Sequence, residues 1–132
     1  MPRDAEIRQW LAKAREDRAA AVSLQADRQG PAVIGFHCQQ AAEKVLKALL
    51  IACGEPFAKV HDLDYLLTLC ERHEPTISTL RPDLASLEPF AVTFRYPTVR
   101  EPDRSAADAA VVVASQVIKE VEAMILARMT SP

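Results

Sequence analysis

Apolar residues recur along this chain every three to four positions with polar residues between them, a period that specifies helices packed through one face. The first predicted helix starts at Asp4, a suitable N-cap with Glu6 in the first turn, and runs to about Asp27, with Gly30-Pro31 as its stop. Its buried stripe is Ile7, Trp10, Leu11, Ala14, Ala21 and Leu24. Where the stripe continues, Asp17 or Arg18 falls on or beside the packing face. Either the pair lies at the edge of the stripe with the arginine stem over apolar surface, or a polar group faces a site or a partner subunit.

The second helix, from about Ala32 to Cys53, has two chemically distinct faces. Ile34, Cys38, Ala41, Val45, Ala48, Leu49 and Ala52 form the apolar sector, and His37, Gln40, Glu43, Lys44 and Lys47 gather in the other, with Gly54 ending the helix. Asp62 caps a short third helix with the stripe Leu63, Leu66, Leu67 and Cys70 and a stop at Pro75. Residues 76–104 read as loop, broken by Pro82, Pro89, Pro97 and Pro102, with one short helix around Asp83 to Leu87. The last helix begins near Ser105, with Asp108 three residues on in a variant of the capping box, and buries Ala107, Ala110, Val111, Ala114, Val117, Ile118, Val121, Met124 and Ile125. The β-branched run Val111-Val112-Val113 yields to this sustained helical period.

Composition narrows the picture further. In 132 residues, 22 alanines against 3 glycines favour helices and leave too few glycines for phosphate loops or dinucleotide folds. The expected architecture is all-α: a single domain over residues 1–132, built as an up-and-down bundle of about five helices. The net charge of -2 provides no bulk attraction to nucleic acid or anionic membrane, although the first 60 residues are mildly basic and the rest acidic. Cys38, Cys53 and Cys70 have neither metal-ligand spacing nor an even count, and read as reduced thiols in a core, with no metal and no cofactor. The charged N-terminal stretch and the absence of a long apolar run lead to the expectation of a cytoplasmic protein that does not enter membranes.

No stringent catalytic motif occurs, so candidate chemistry rests on three constellations. His37, Gln40, Lys44 and Lys47 share a helix face on which ammonium groups, an imidazole and an amide can hold a phosphate and a base or ribose. The alternative is a solvated face on which Glu43 pairs with Lys47. Arg95 and Tyr96, stiffened by Pro97, suit fork-like binding of a phosphate or carboxylate with stacking nearby, unless Arg95 pins the loop by pairing with Glu88 or Asp64. His61 and His73 bracket the third helix, as backbone-satisfying groups or as proton-transfer groups.

The segment Phe36-His37-Cys38-Gln39-Gln40-Ala41-Ala42-Glu43-Lys44-Val45-Leu46-Lys47-Ala48-Leu49, followed by Gly54, His61-Asp62-Leu63 and Arg95-Tyr96-Pro97, resembles the HEPN domain family (higher eukaryotes and prokaryotes nucleotide-binding). The opening Trp10-Leu11-Ala12-Lys13-Ala14 with Asp17 is similar to that family's first helix. The resemblance implies a helical bundle, a homodimer, and pairing with a small nucleotidyltransferase in a toxin-antitoxin system. Many members are metal-independent ribonucleases that use an arginine followed, four to six residues on, by a histidine. Here no arginine stands at residues 30–32, 54–56 or 66–68, ahead of His37, His61 and His73, so the usual nuclease motif is absent.

The resulting expectation is a dimeric, non-catalytic module that binds nucleotide, RNA or a nucleotidyltransferase partner. Its candidate contacts are His37, Gln40, Lys44, Lys47, Arg95 and Tyr96, with His61 and Asp17 as secondary candidates. The competing expectations are a ribonuclease with a rearranged Arg/His site and an assembly module without a ligand.

Overall fold

A computed structural model describes residues 2–130, the side chains of residues 2, 95 and 130 excepted. The described chain forms five α-helices: α1 (Pro2–Ala26), α2 (Pro31–Cys53), α3 (Leu63–Glu71), α4 (Arg81–Ala91) and α5 (Arg104–Thr130). Short 3-10 segments at Pro75–Leu80 and Thr93–Arg95 precede and follow α4. No strand occurs among the described residues, as the helical period required.

Helix α2 is the axle of the bundle, packing against α1 and α5 and also against α3 and α4. Its predicted apolar sector is fully or nearly buried, and Ala42, Leu46 and Leu50 on other sides are sealed as well. Surrounded in this way, its polar face is not a solvated one: Gln39, Glu43 and Lys47 are buried too. One core runs through all five helices, from Ile7 and Leu11 through Leu49, Leu66 and Leu87 to Val117 and Ile125. Each large side chain removed from water contributes about 1.5–3 kcal/mol.

The stripe predicted for α1 faces this core, with Trp10 and Leu24 only partly covered. α1 starts at Pro2, ahead of Asp4, which sits in the first turn. It ends at Ala26, within a residue of the expected Asp27, and Gly30-Pro31 is not what stops it. The chain turns at Arg28, which adopts φ 55°, and the amides of Arg28 and Gln29 close onto the carbonyls of Gln25 and Leu24 in a Schellman turn. Gly30 instead caps α2, and Pro31 opens it, where a missing N–H costs nothing. Arg104 holds the left-handed turn in place by donating to the carbonyls of Arg28 and Gln29 at 3.2 and 2.8 Å. Gly54 closes α2 in the same manner, at φ 73°.

Two capping assignments change. Asp103, not Ser105, starts α5, its carboxylate accepting from the Ala106 amide at 2.9 Å and from the Ser105 hydroxyl at 2.8 Å. Asp108 accepts from Gln25 and so ties α5 to α1. The stretch read as loop is more helical than its prolines implied, because Pro82 lies in the first turn of α4 and Pro89 in its last, positions where a proline leaves most of the ladder intact. Phe90 of α4 presses onto α2 at Gly35, where an added Cβ would meet the phenyl ring at 2.0 Å. That glycine lets the end of α4 approach α2 and sets one wall of the groove described next.

Candidate functional site

At the first turn of α3 every backbone amide has a partner. The Asp62 carboxylate accepts from the amides of Asp64 and Tyr65 at 3.0 and 3.2 Å, as the capping pattern foretold. Glu88, reaching across from α4, accepts from the Leu63 amide at 3.0 Å. The Leu66 amide begins the helical ladder on the Asp62 carbonyl. Glu88 thereby fixes α3 against α4, and burial pushes its carboxyl above the ordinary range despite the bond from Leu63.

Between α2, the start of α3 and the end of α4 lies an open groove of about 890 Å³, lined among others by Phe36, Gln40, His61, Asp62, Glu88 and Thr93. Its apolar walls are Phe36 on α2 and Pro89, Ala91 and Val92 at the α4 end. His61 stands at its edge, its side chain 75% exposed, with Nδ1 2.9 Å from the Glu43 carboxylate. A carboxylate has no proton to give, so Nδ1–H is the donor and Nε2 is presented outward. Glu43 is held from the other side by Lys47 at 3.0 Å, the two side chains being 3% and 8% exposed. The Lys47 ammonium also lies 5.5 Å from the centre of the Trp10 ring and 6.0 Å from that of Phe57. Gln39, fully buried, donates to the His61 carbonyl at 3.3 Å and accepts from the Gln40 amide at 2.8 Å, which joins α2 to the loop before α3.

A second cluster lies along the same stretch of α2, where it meets Asp17 of α1. Asp17 of α1 takes Nδ1 of His37 at 2.9 Å on one oxygen and the Lys44 ammonium at 2.5 Å on the other, all three side chains being mostly buried. The polar residue on the packing face of α1 is therefore Asp17, while Arg18 reaches out to Ser115. Of the four residues expected to share a stripe, His37 and Lys44 converge on Asp17, Lys47 turns inward to Glu43, and Gln40 faces the groove with His61. Tyr96 is exposed, in the loop after the segment that ends at Arg95; the Arg95 side chain lies outside the described residues. The pairing of Arg95 with Glu88 or Asp64 therefore also lies outside the described residues; among those described, Asp64 meets Arg81 and Glu88 meets the Leu63 amide. His73 pairs with Glu55 at 3.1 Å, away from the groove. Among the described residues no cluster of three potential metal ligands occurs, and no helix is long and apolar enough to cross a membrane.

Phe36, Thr93 and Glu88 line the groove although sequence reasoning did not single them out as site residues, Glu88 having been considered only as a partner of Arg95. The one local signal for Glu88 is negative: no cation stands three or four residues to either side, so its carboxylate had to find a distant partner.

Residues 7–124 match the family model of the HEPN domain. An archaeal HEPN homologue, ST0689, shares the fold with a TM-score of 0.72 and 23% identity, over 90% of this chain and 97% of that one. TT1696 from Thermus thermophilus is similar at a TM-score of 0.72 and 26% identity, over 88% of this chain and 95% of that one. No curated protein matches. The five-helix bundle and the family match define a helical HEPN-type protein, as the motif resemblance implied. The chain belongs to the HEPN domain family.

Proposed function

We propose that this chain acts as a cytoplasmic, single-domain binding module for a nucleotide or a short stretch of RNA, as a homodimer and beside a nucleotidyltransferase partner of the toxin-antitoxin type. The observation that carries the reading is the groove: an aromatic wall at Phe36, an amide at Gln40 and an imidazole fixed by a buried carboxylate, all facing one cavity large enough for a nucleoside. A base lies against Phe36, and its phosphate extends to the rim, where Arg95 and Tyr96 follow the groove-lining Thr93 in sequence. Asp17 holds His37 and Lys44 in a cluster of their own. Lys47 serves the site indirectly, by fixing Glu43 and through it His61. Exposed Val33, Val92 and Tyr96 belong to the segments beside the groove, which supports a second chain covering that face.

Gln40→Ala and Arg95→Ala test this reading. Each weakens binding of a nucleoside monophosphate or short RNA at least about fivefold with the melting temperature nearly unchanged. Unaltered affinity in both variants contradicts it.

The Glu43–His61 pair favours one second reading, a ribonuclease with a rearranged site. An exposed imidazole oriented by a buried carboxylate is a general acid–base arrangement. RNA incubated with the protein in EDTA is then cut, and His61→Ala abolishes cutting. RNA left intact at high protein concentration eliminates that reading.

A further inference from the structure

Resting on the groove reading above, we infer that the site takes two consecutive nucleotides of a single strand, the second base entering a side pocket that shares the Phe36 ring with the groove. The pocket has a volume of about 300 Å³ and is lined by Ala32, Val33, Phe36, Phe94 and Glu101. Phe36 lines the groove as well, so one ring serves as a wall of both spaces. Thr93 lines the groove and the next residue, Phe94, lines the pocket, which places the 3-10 segment Thr93–Arg95 along a rim common to the two. Adjoining spaces with a shared aromatic wall are the arrangement that receives neighbouring bases stacked on protein side chains.

Both rings are held in place by their neighbours. Phe36 meets the His37 imidazole edge to face, with centroids 5.9 Å apart, and His37 is itself held by Asp17 at 2.9 Å. Phe94 leans on Phe90 at 5.0 Å, and Phe90 is pressed against Gly35. Rings fixed before binding lose little freedom when a base stacks on them. The side chains lining the pocket are apolar apart from Glu101, whose carboxylate repels a phosphate. The base therefore enters, and the phosphodiester stays outside at the rim. Cations stand on that side of the chain: Arg95 follows Phe94 in sequence, and Arg100 lines the next surface cavity together with Phe94. A mononucleotide fills the groove alone, whereas a dinucleotide uses both spaces.

Titration of the intact protein with cytidine 5′-monophosphate, cytidine 3′,5′-bisphosphate and the 5′-phosphorylated dinucleotide of cytidine tests this. The dinucleotide binds at least about tenfold more tightly than the monophosphate, the worth of one further stacked base. The bisphosphate, which adds the second phosphate without the second base, stays within about threefold of the monophosphate. In NMR spectra the Phe94 ring signals shift with the dinucleotide and hardly move with the monophosphate. Phe94→Leu keeps an apolar contact for Phe90, so the melting temperature is nearly unchanged; it cuts the dinucleotide advantage to about threefold or less and leaves monophosphate affinity as it was. A dinucleotide within about twofold of the monophosphate, or a bisphosphate as tight as the dinucleotide, overturns the inference and leaves nucleotide binding standing. Phe94 signals that follow protein dilution and ignore the dinucleotide assign the pocket to a second copy of the chain, and likewise overturn it. Absence of binding by all three up to about 1 mM overturns this inference and the groove reading together.

Discussion

The His61 imidazole and the Glu43 carboxylate form a hydrogen-bonded pair, 2.9 Å apart, in which one partner is largely exposed and the other almost fully buried. The contrast matters because the buried member carries a second bond, to Lys47, that only the interior geometry of α2 can supply. An interior ion pair thus orients a surface group at the groove. Removing the Glu43 charge by Glu43→Gln strands the Lys47 ammonium and costs about 3–5 kcal/mol in urea unfolding. Adding Lys47→Met to that variant recovers most of the loss, since an apolar side chain suits the space beside Trp10 and Phe57. Equal stability of the single and double variants would show that the pair is not coupled.

Gly35 tests the placement of α4. Gly35→Ala forces the Phe90 ring off α2 and destabilises the fold by about 1–3 kcal/mol, although alanine is the better helix former. Phe90→Leu in the same background removes part of that penalty. A stabilised Gly35→Ala protein would mean that α4 does not sit where the groove requires it.

Glu88 predicts a pH dependence of stability. Its carboxyl binds protons more readily in the fold than in the unfolded chain, because burial outweighs the bond from the Leu63 amide. Its contribution is therefore complete below the ordinary glutamate range and is lost as pH rises through the raised folded value. Glu88→Gln has no such titration. The melting temperature of the native protein relative to Glu88→Gln consequently falls between about pH 4 and about pH 7. A relative rise over that interval would contradict the assigned direction.

The thiols differ in reactivity by position. Burial pushes Cys38 and Cys70 up to about 12, while Cys53, half-buried near the end of α2, is raised by burial against the opposing pull of Arg128. A disulfide reagent at neutral pH titrates at most one thiol in the native protein, slowly, and all three in denaturant. Rapid modification of two or more native thiols would contradict the burial of Cys38 and Cys70.

Helical periodicity made most of the bundle legible, since the stripes of α1, α2, α3 and α5 each face the core. The Asp62 cap was equally legible, being a local bond two and three residues long. Local rules failed where a distant partner decided the outcome. Arg28 turns the end of α1 in place of Gly30 because Arg104, 76 residues away, holds its carbonyl. Ser105 leaves the capping role to Asp103, and Asp108, expected to complete the capping box, instead accepts from Gln25 of α1. In the candidate site, spacing placed the polar residues of α2 on one helical face but could not tell which side chains turn inward. Burial of Lys47 and the reach of Asp17 to Lys44 depend on the packing of α1 over α2, which no single-helix pattern contains.

The central claim is that the groove beside His61 receives a nucleotide. The most direct measurement follows the imidazole C–H resonances of His37, His61 and His73 by NMR while cytidine monophosphate is added. The groove reading predicts a saturable shift of the His61 signals, with His73, paired to Glu55 away from the groove, unmoved. Saturable binding that leaves His61 unshifted, or no binding up to about 1 mM, would contradict it.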